Sequence, residues 1–223
     1  MFGFDKKELD MLKKLNTPRK IQDFLEEFEI NFEEGGDTCK SPRVILKTRK
    51  AHCVEGAMLA AVILKINGHK PLVVDLTSNK KDYDHVIAVF KQDGLWGAIS
   101  KTNHASLKYR DPIYKSIREL VLSYFNEYFL DSGKKTLRSY TMPVDLSRFD
   151  KLNWVTSEKD VWFIPEYLGK IKHIPIVNKK QIFNLRKADP IEIEAGRIIQ
   201  WKKDGNMVTK NEFIVDEDDK AQV

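Results

Sequence analysis

Cys53 and His85 are the two side chains of this sequence whose surroundings suit nucleophilic chemistry. Cys53 sits between a basic stretch, Lys47-Thr48-Arg49-Lys50-Ala51-His52, and an apolar run of mostly small residues from Val54 to Leu64. That run predicts a buried helix beginning at the cysteine. A thiol at a helix start feels the positive end of the dipole, and nearby cations add to that field; both favour thiolate, the nucleophilic form. His85 opens a second apolar run, His85-Val86-Ile87-Ala88-Val89-Phe90, which predicts a strand. A thiol at a helix start and an imidazole on a sheet are the minimum parts of a cysteine–histidine nucleophile, so the two side chains are expected within hydrogen-bonding reach.

The elements around this pair follow from periodicity and punctuation. Leu9, Leu12 and Leu15 mark a short amphipathic helix over 5–15. Thr17-Pro18 and Ser41-Pro42 read as N-cap plus first helical residue of two more helices. The Cys53 helix should stop at Asn67-Gly68. Strands are expected over 71–76, 85–90 and 95–101, the last two joined across Asp93-Gly94, a strong hairpin signal. Asp111-Pro112 reads as the cap of a long helix to about Phe129, with Ile113, Ile117, Leu120, Val121, Tyr124, Phe125 and Tyr128 on one face. Further on, Trp154 and Val161 to Ile164 predict core contributions, and Ile191-Glu192-Ile193 and Ile198 to Trp201 read as strands.

Composition bounds the function classes. With 223 residues and 42% hydrophobic content, a sizeable core is available, and 32% charged residues give a well-solvated surface. The net charge of +5 is scattered among acids, with no Arg-rich run, so no specific nucleic-acid partner is expected. Cys39 and Cys53 form no CxxC and no Cys/His metal spacing, so neither a metal nor a cofactor is implied, and a reducing compartment fits. The N-terminus is charged where a signal peptide would be apolar, and the longest apolar run, Ala57 to Leu64, falls short of the ~20 residues a spanning helix needs. The expectation is a cytoplasmic protein without membrane contact. We divide the chain into residues 1–170, a C-terminal appendage packed on it over 171–215, and an acidic tail over 216–223 expected to be disordered.

Three blocks in order carry a family resemblance: Ala51-His52-Cys53-Val54-Glu55-Gly56-Ala57-Met58-Leu59-Ala60-Ala61, then Gly68 to Leu76, then Asp84-His85-Val86-Ile87-Ala88-Val89-Phe90. Together they resemble the transglutaminase-like superfamily, and more closely its bacterial hypothetical proteins that continue with Trp-Gly-Ala-Ile-Ser-Lys, here Trp96 to Lys101. The resemblance covers residues 17 to about 150. It implies an α+β, papain-like fold, with the Cys at the start of a helix packed on an antiparallel sheet. It implies Cys53 as nucleophile, His85 as base and a third residue on the next strand. Active members usually carry an Asp four residues after a Trp; counting from Trp96 gives Ser100.

Hairpin geometry leaves two candidates for that third position. A two- or four-residue loop brings Ser100 and Thr102 to the face of His85, because side chains alternate with period two, whereas a three-residue loop brings Lys101 and Asn103 there. Ser100 has the expected offset from Trp96; Asn103 has the better acceptor. His52 is expected to point to the surface, Glu55 to serve the helix dipole, and Asp82 and Asp84 to form turns. His104, Lys108, Tyr109 and Arg110 could line a cleft mouth. The expected function is a cysteine-dependent hydrolase or acyltransferase, a transglutaminase-like cysteine protease or amidase, acting on a peptide or protein substrate. Its alternative is a non-catalytic member that binds a peptide in the same cleft.

Overall fold

The computed structural model describes residues 3–208, and the acidic tail at 216–223 lies outside them. In chain order the elements are helices α1 (Lys6–Lys14) and α2 (Pro18–Glu26), strand β1 (Glu29–Ile30), α3 (Pro42–Thr48), β2 (Lys50–Ala51) and α4 (Cys53–Ile66). Then come β3 (Leu72–Thr77), β4 (His85–Gln92), β5 (Leu95–Ile99), β6 (Arg110–Tyr114) and α5 (Ile117–Tyr124). The remainder is β7 (Ser139–Thr141), β8 (Val144–Asp145), a 3₁₀ helix (Leu146–Leu152), α6 (Phe163–Lys170), β9 (His173–Pro175), α7 (Lys179–Phe183) and α8 (Pro190–Gly196). The fold is α+β. Seven strands form one sheet in the order β6-β5-β4-β3-β7-β9, with β8 also on β3, and all its pairings are antiparallel.

Strand β4 is the middle of this architecture, and its unbroken apolar run reflects burial on both faces. Val86, Ala88 and Phe90 pack with α4 and the other helices of the N-terminal half; Ile87 and Val89 pack with Leu120, Val121 and Tyr124 of α5. Helix α4 is buried continuously from Glu55 to Leu64, which is why its sequence is apolar all round rather than striped. Its start is set by the extended backbone of His52 (φ −92°, ψ −175°), and its end by Asn67 and by Gly68 at φ +90°. The proline-marked starts of α2 and α3 carry the expected caps, Thr17 Oγ1 accepting from Lys20 N at 3.3 Å and Ser41 Oγ from Val44 N at 3.4 Å.

The β4–β5 hairpin has a two-residue turn. Asp93 and Gly94 both take positive φ (51° and 81°), and Gln92 pairs with Leu95. Such a turn matches the right-handed strand twist. The register continues through Lys91 with Trp96, Phe90 with Gly97, Val89 with Ala98 and Ala88 with Ile99. It therefore carries Ser100 towards the face of His85.

Three expected elements differ. Residues 111–129 are not one helix. Asp111, Pro112 and Ile113 belong to edge strand β6, where a proline needs no ladder partner, and the helix begins at Ile117 with Ser116 as its cap. Ile191-Glu192-Ile193 is helical, in α8, started by a capping box between Asp189 and Glu192. The stretch 198–201 is no strand but makes isolated bridges, Ile199 with His104 and Trp201 with Met207. Strand β9, from the segment after residue 170, joins the main sheet beside β7.

Gly56 allows the closest approach of α4 to the end of β5. A Cβ there would lie 2.4 Å from Lys101 Cβ and 3.0 Å from its Cγ. Gly56→Ala gains helix propensity of about 1 kcal/mol. The clash lies at the rigid base of Lys101 and should outweigh that gain, for a net loss of about 1–2 kcal/mol, read as a lower urea midpoint. A midpoint at or above wild type would show that the two elements can part without loss.

Candidate active site

Cys53 is the first residue of α4, so its backbone N–H belongs to the helical turn whose donors have no carbonyl partner within the helix. Its side chain is partly exposed in a cleft of about 410 Å³ whose lining includes Asn31, Glu33, His52, Asp84, His85 and Lys101. A larger groove of about 810 Å³ runs past Met142, Arg148 and Tyr167 and holds neither cysteine. His52 and His85 line the cleft with Cys53, and both act on its sulfur electrostatically. Burial opposes its ionisation, but the two neighbouring imidazoles outweigh this and lower the thiol to about 5. Cys39 is the opposite case: buried in the core and near the Glu55 carboxylate, it is pushed up to about 12.

His85 is buried at the start of β4, and its Nε2 lies 2.8 Å from Ser100 Oγ. The Ser100 hydroxyl donates its one proton to Leu107 O at 2.6 Å. It can therefore only accept from His85, which assigns the hydrogen to Nε2 and leaves Nδ1 as the acceptor of the neutral ring. Ser100 is itself clamped by Gln22: Gln22 Nε2 donates to Ser100 O and Ser100 N donates to Gln22 Oε1, each at 2.9 Å. Leu107 holds a left-handed backbone (φ 57°), a cost of about 1–2 kcal/mol for a non-glycine residue. Its own N–H is fixed on Glu127 Oε2 at 2.8 Å, so the strained peptide keeps its carbonyl on Ser100.

Asn103 does not orient the imidazole. The two-residue turn excludes the register it required, and its amide is committed to Trp201. Asn103 Nδ2 donates to Trp201 O at 3.0 Å, and Trp201 N donates to Asn103 Oδ1 at 2.8 Å. It lines the cleft and ties residues 200–201 to its wall, with Gln200 N donating to Asn103 O at 2.8 Å. His104 also lines the cleft, whereas Lys108 bonds Gln200 and Glu26, Tyr109 stacks on Phe90 and Arg110 pairs with Glu127. Asp84 holds the loop before β4 by accepting from Ser78 N at 2.7 Å.

His52 and Glu55 belong to the wall of the site rather than to the surface and the helix dipole alone. His52 Nε2 bonds Thr38 O at 3.0 Å and lies 3.6 Å from the carboxylate oxygens of both Glu33 and Glu55. Burial draws its pKa down, but the Cys53 sulfur, Glu55 and the Thr38 carbonyl together raise it to about 9. Glu55 is fully buried and accepts four hydrogen bonds: from Thr38 Oγ1 (3.0 Å), Lys40 N (2.9 Å), Asn31 Nδ2 (3.0 Å) and His52 N (3.2 Å). Gln22 and Lys101 were also missed. The signal for Gln22 was a polar residue among the stripe positions Ile21 and Leu25. The signal for Lys101 was a lysine two residues beyond Ile99 on the core-facing alternation. Burial lowers Lys101 to about 8, and its Nζ donates to Phe28 O.

Among the described residues no group of three or more His, Cys, Asp or Glu side chains could hold a metal ion, and no helix is long and apolar enough to cross a membrane. The chain matches no protein-family model and no curated protein.

Proposed function

We propose that this protein is a cysteine-dependent hydrolase or acyltransferase acting on amide bonds, with a papain-like, transglutaminase-like arrangement of nucleophile and base. The observation that carries this is that Cys53 and His85 line one cleft, with the His85 ring held on Ser100 Oγ at 2.8 Å. A partly exposed thiol lowered to about 5 at a helix start, opening on a cleft, supports the same reading.

In this reading the Cys53 thiolate attacks a carboxamide carbonyl. The new C–S bond forms as the carbonyl π electrons move to oxygen, and the oxyanion is met by the free N–H groups at the start of α4. Protonated His85 gives its Nδ1 proton to the leaving amine, the C–N bond breaks and a thioester remains. Water or a second amine then attacks the thioester, His85 takes its proton, and the thiolate leaves. Water gives amidase or protease activity; an amine gives transfer.

Ser100 supports a second reading. A neutral hydroxyl stabilises an imidazolium less than a carboxylate does, which would suit a peptide-binding cleft without turnover. Peptidyl coumarin amides, with and without a fluorescent primary amine as acceptor, separate the two. Turnover that falls at least about a thousandfold in Cys53→Ala supports the enzyme; saturable peptide binding without turnover, equal in wild type and Cys53→Ala, supports the binder. In the enzyme, Ser100→Ala should reduce kcat about tenfold to a hundredfold, less than losing the base itself. An unchanged kcat would remove Ser100 from the site.

A further inference from the structure

The mechanism above gives His52 no task, yet this residue is built into the site more tightly than a surface histidine needs to be. It is the N-cap of α4, adjacent to the nucleophile, and lines the cleft with it. On its far side every neighbour is an acceptor or an anion: Thr38 O at 3.0 Å, and Glu33 Oε1 and Glu55 Oε1 at 3.6 Å. A neutral imidazole offers one N–H; an imidazolium offers two. With Nε2 turned to Thr38 O and two carboxylate oxygens within 3.6 Å, the surroundings of the ring favour its charged form. His85 is set differently, since its Nε2 meets a neutral serine hydroxyl.

We infer that His52 is a second catalytic histidine, a fixed cation that keeps Cys53 ionised while His85 alone carries the proton to and from substrate. This rests on the reading of Cys53 as the nucleophile. The proton of His52 is not transferred at any step; the ring stays charged between the sulfur and the Glu33 and Glu55 carboxylates. Its benefit falls at two points. In the free protein it holds the thiolate whatever the state of His85. In thioester breakdown it stabilises the departing thiolate, and a thiol of lower pKa leaves faster. The buried Glu55 is what holds the cation, with its four donors fixing both oxygens in place.

Other charges reach the same space and do not provide this contact. Glu33, Asp37, Tyr83, Asp84, Lys101 and His104 line the cleft with His52 and His85, and Cys39, Asp75 and Tyr128 feel the Cys53 charge from behind it. Of the titratable groups in the cleft, His52 and His85 are the ones that draw the thiol down.

The test is the pH dependence of Cys53 alkylation by iodoacetamide, followed on the intact protein by peptide mass spectrometry, in wild type, His52→Gln and His52→Asn. Asn keeps a capping side chain, so one of the two variants should fold. In wild type the rate should fall through a midpoint near 5. In either variant the midpoint should rise by about 1–2 units, with a faster plateau above it because the thiolate of a higher-pKa thiol is the better nucleophile. A superimposable profile would overturn the assignment. Because alkylation needs no substrate, this result is independent of whether amide turnover is ever found. If neither variant folds, nitrogen NMR of the His52 ring decides. In wild type both ring nitrogens should be protonated at neutral pH, and in Cys53→Ala the titration should drop by about 1–2 units through the reciprocal loss of the thiolate. A neutral His52 ring in wild type near neutral pH also overturns it.

Discussion

Near pH 6, iodoacetamide should modify Cys53 about a thousandfold faster than Cys39. With thiols at about 5 and about 12, the sulfurs differ in thiolate content at that pH by about a million. A low-pKa thiolate is intrinsically less nucleophilic, and a Brønsted slope near 0.4–0.5 across that gap gives back about three orders of magnitude. The burial of Cys39 can only widen the difference. The sign is fixed by the lowered pKa: Cys53 should react at a nearly constant rate above about pH 6 and slow as the pH falls through 5. Timed alkylation with peptide mapping reads both sites at once. Comparable rates for the two thiols would mean that the histidine contacts do not ionise Cys53, and the catalytic reading would go with them.

The largest effect on stability should come from Glu55→Ala. Glu55 is fully buried and takes hydrogen bonds from the β1–α3 loop through Asn31, Thr38 and Lys40, and from the cap of its own helix through His52. Truncation leaves four donors without their acceptor and His52 without one of its two counter-charges, a loss of about 3–5 kcal/mol. For a chain of this size that corresponds to a melting point lower by about 10 °C. Urea unfolding, with the melting temperature as a second measure, checks it. A loss under about 1 kcal/mol would show that water replaces the carboxylate and that the network is not structural.

What was legible in the sequence was whatever rested on local chemistry. Thr17-Pro18, Ser41-Pro42, Asn67-Gly68 and Asp93-Gly94 each fix backbone geometry within a few residues, and each marks the element end it was expected to mark. Since Asp93-Gly94 sets the hairpin register, the contact between Ser100 and His85 was also within reach. The misreadings came where two local signals competed or where tertiary contacts decided. Asp111-Pro112 resembles a helix cap, but Ser116 and Glu119 just beyond it form the real start, and the proline found an edge strand instead. Ile191 and Ile193 alternate like a strand, yet the Asp189–Glu192 capping box prevails and Ile191 stays 79% exposed. His52 was assigned to the surface on the assumption that it shares the helical directions of Cys53. As the N-cap it has extended backbone, and its ring turns to Thr38 O and the Glu33 and Glu55 carboxylates. The pairing of Asn103 with Trp201 spans 98 residues, and no local pattern announces it.

The contrast between the two cysteines has an oxidative consequence. A sulfur held ionised at neutral pH in an open cleft is the form that peroxide attacks, giving a sulfenic acid. Relief within the same chain would require a nearby thiolate to close a disulfide. The other thiol is protonated up to about 12 and sealed in the core, so it cannot serve. A sulfenate at Cys53 would therefore wait for a reductant from outside or go on to the irreversible acids, and the same ionisation that arms the nucleophile ties its working life to the thiol supply around it.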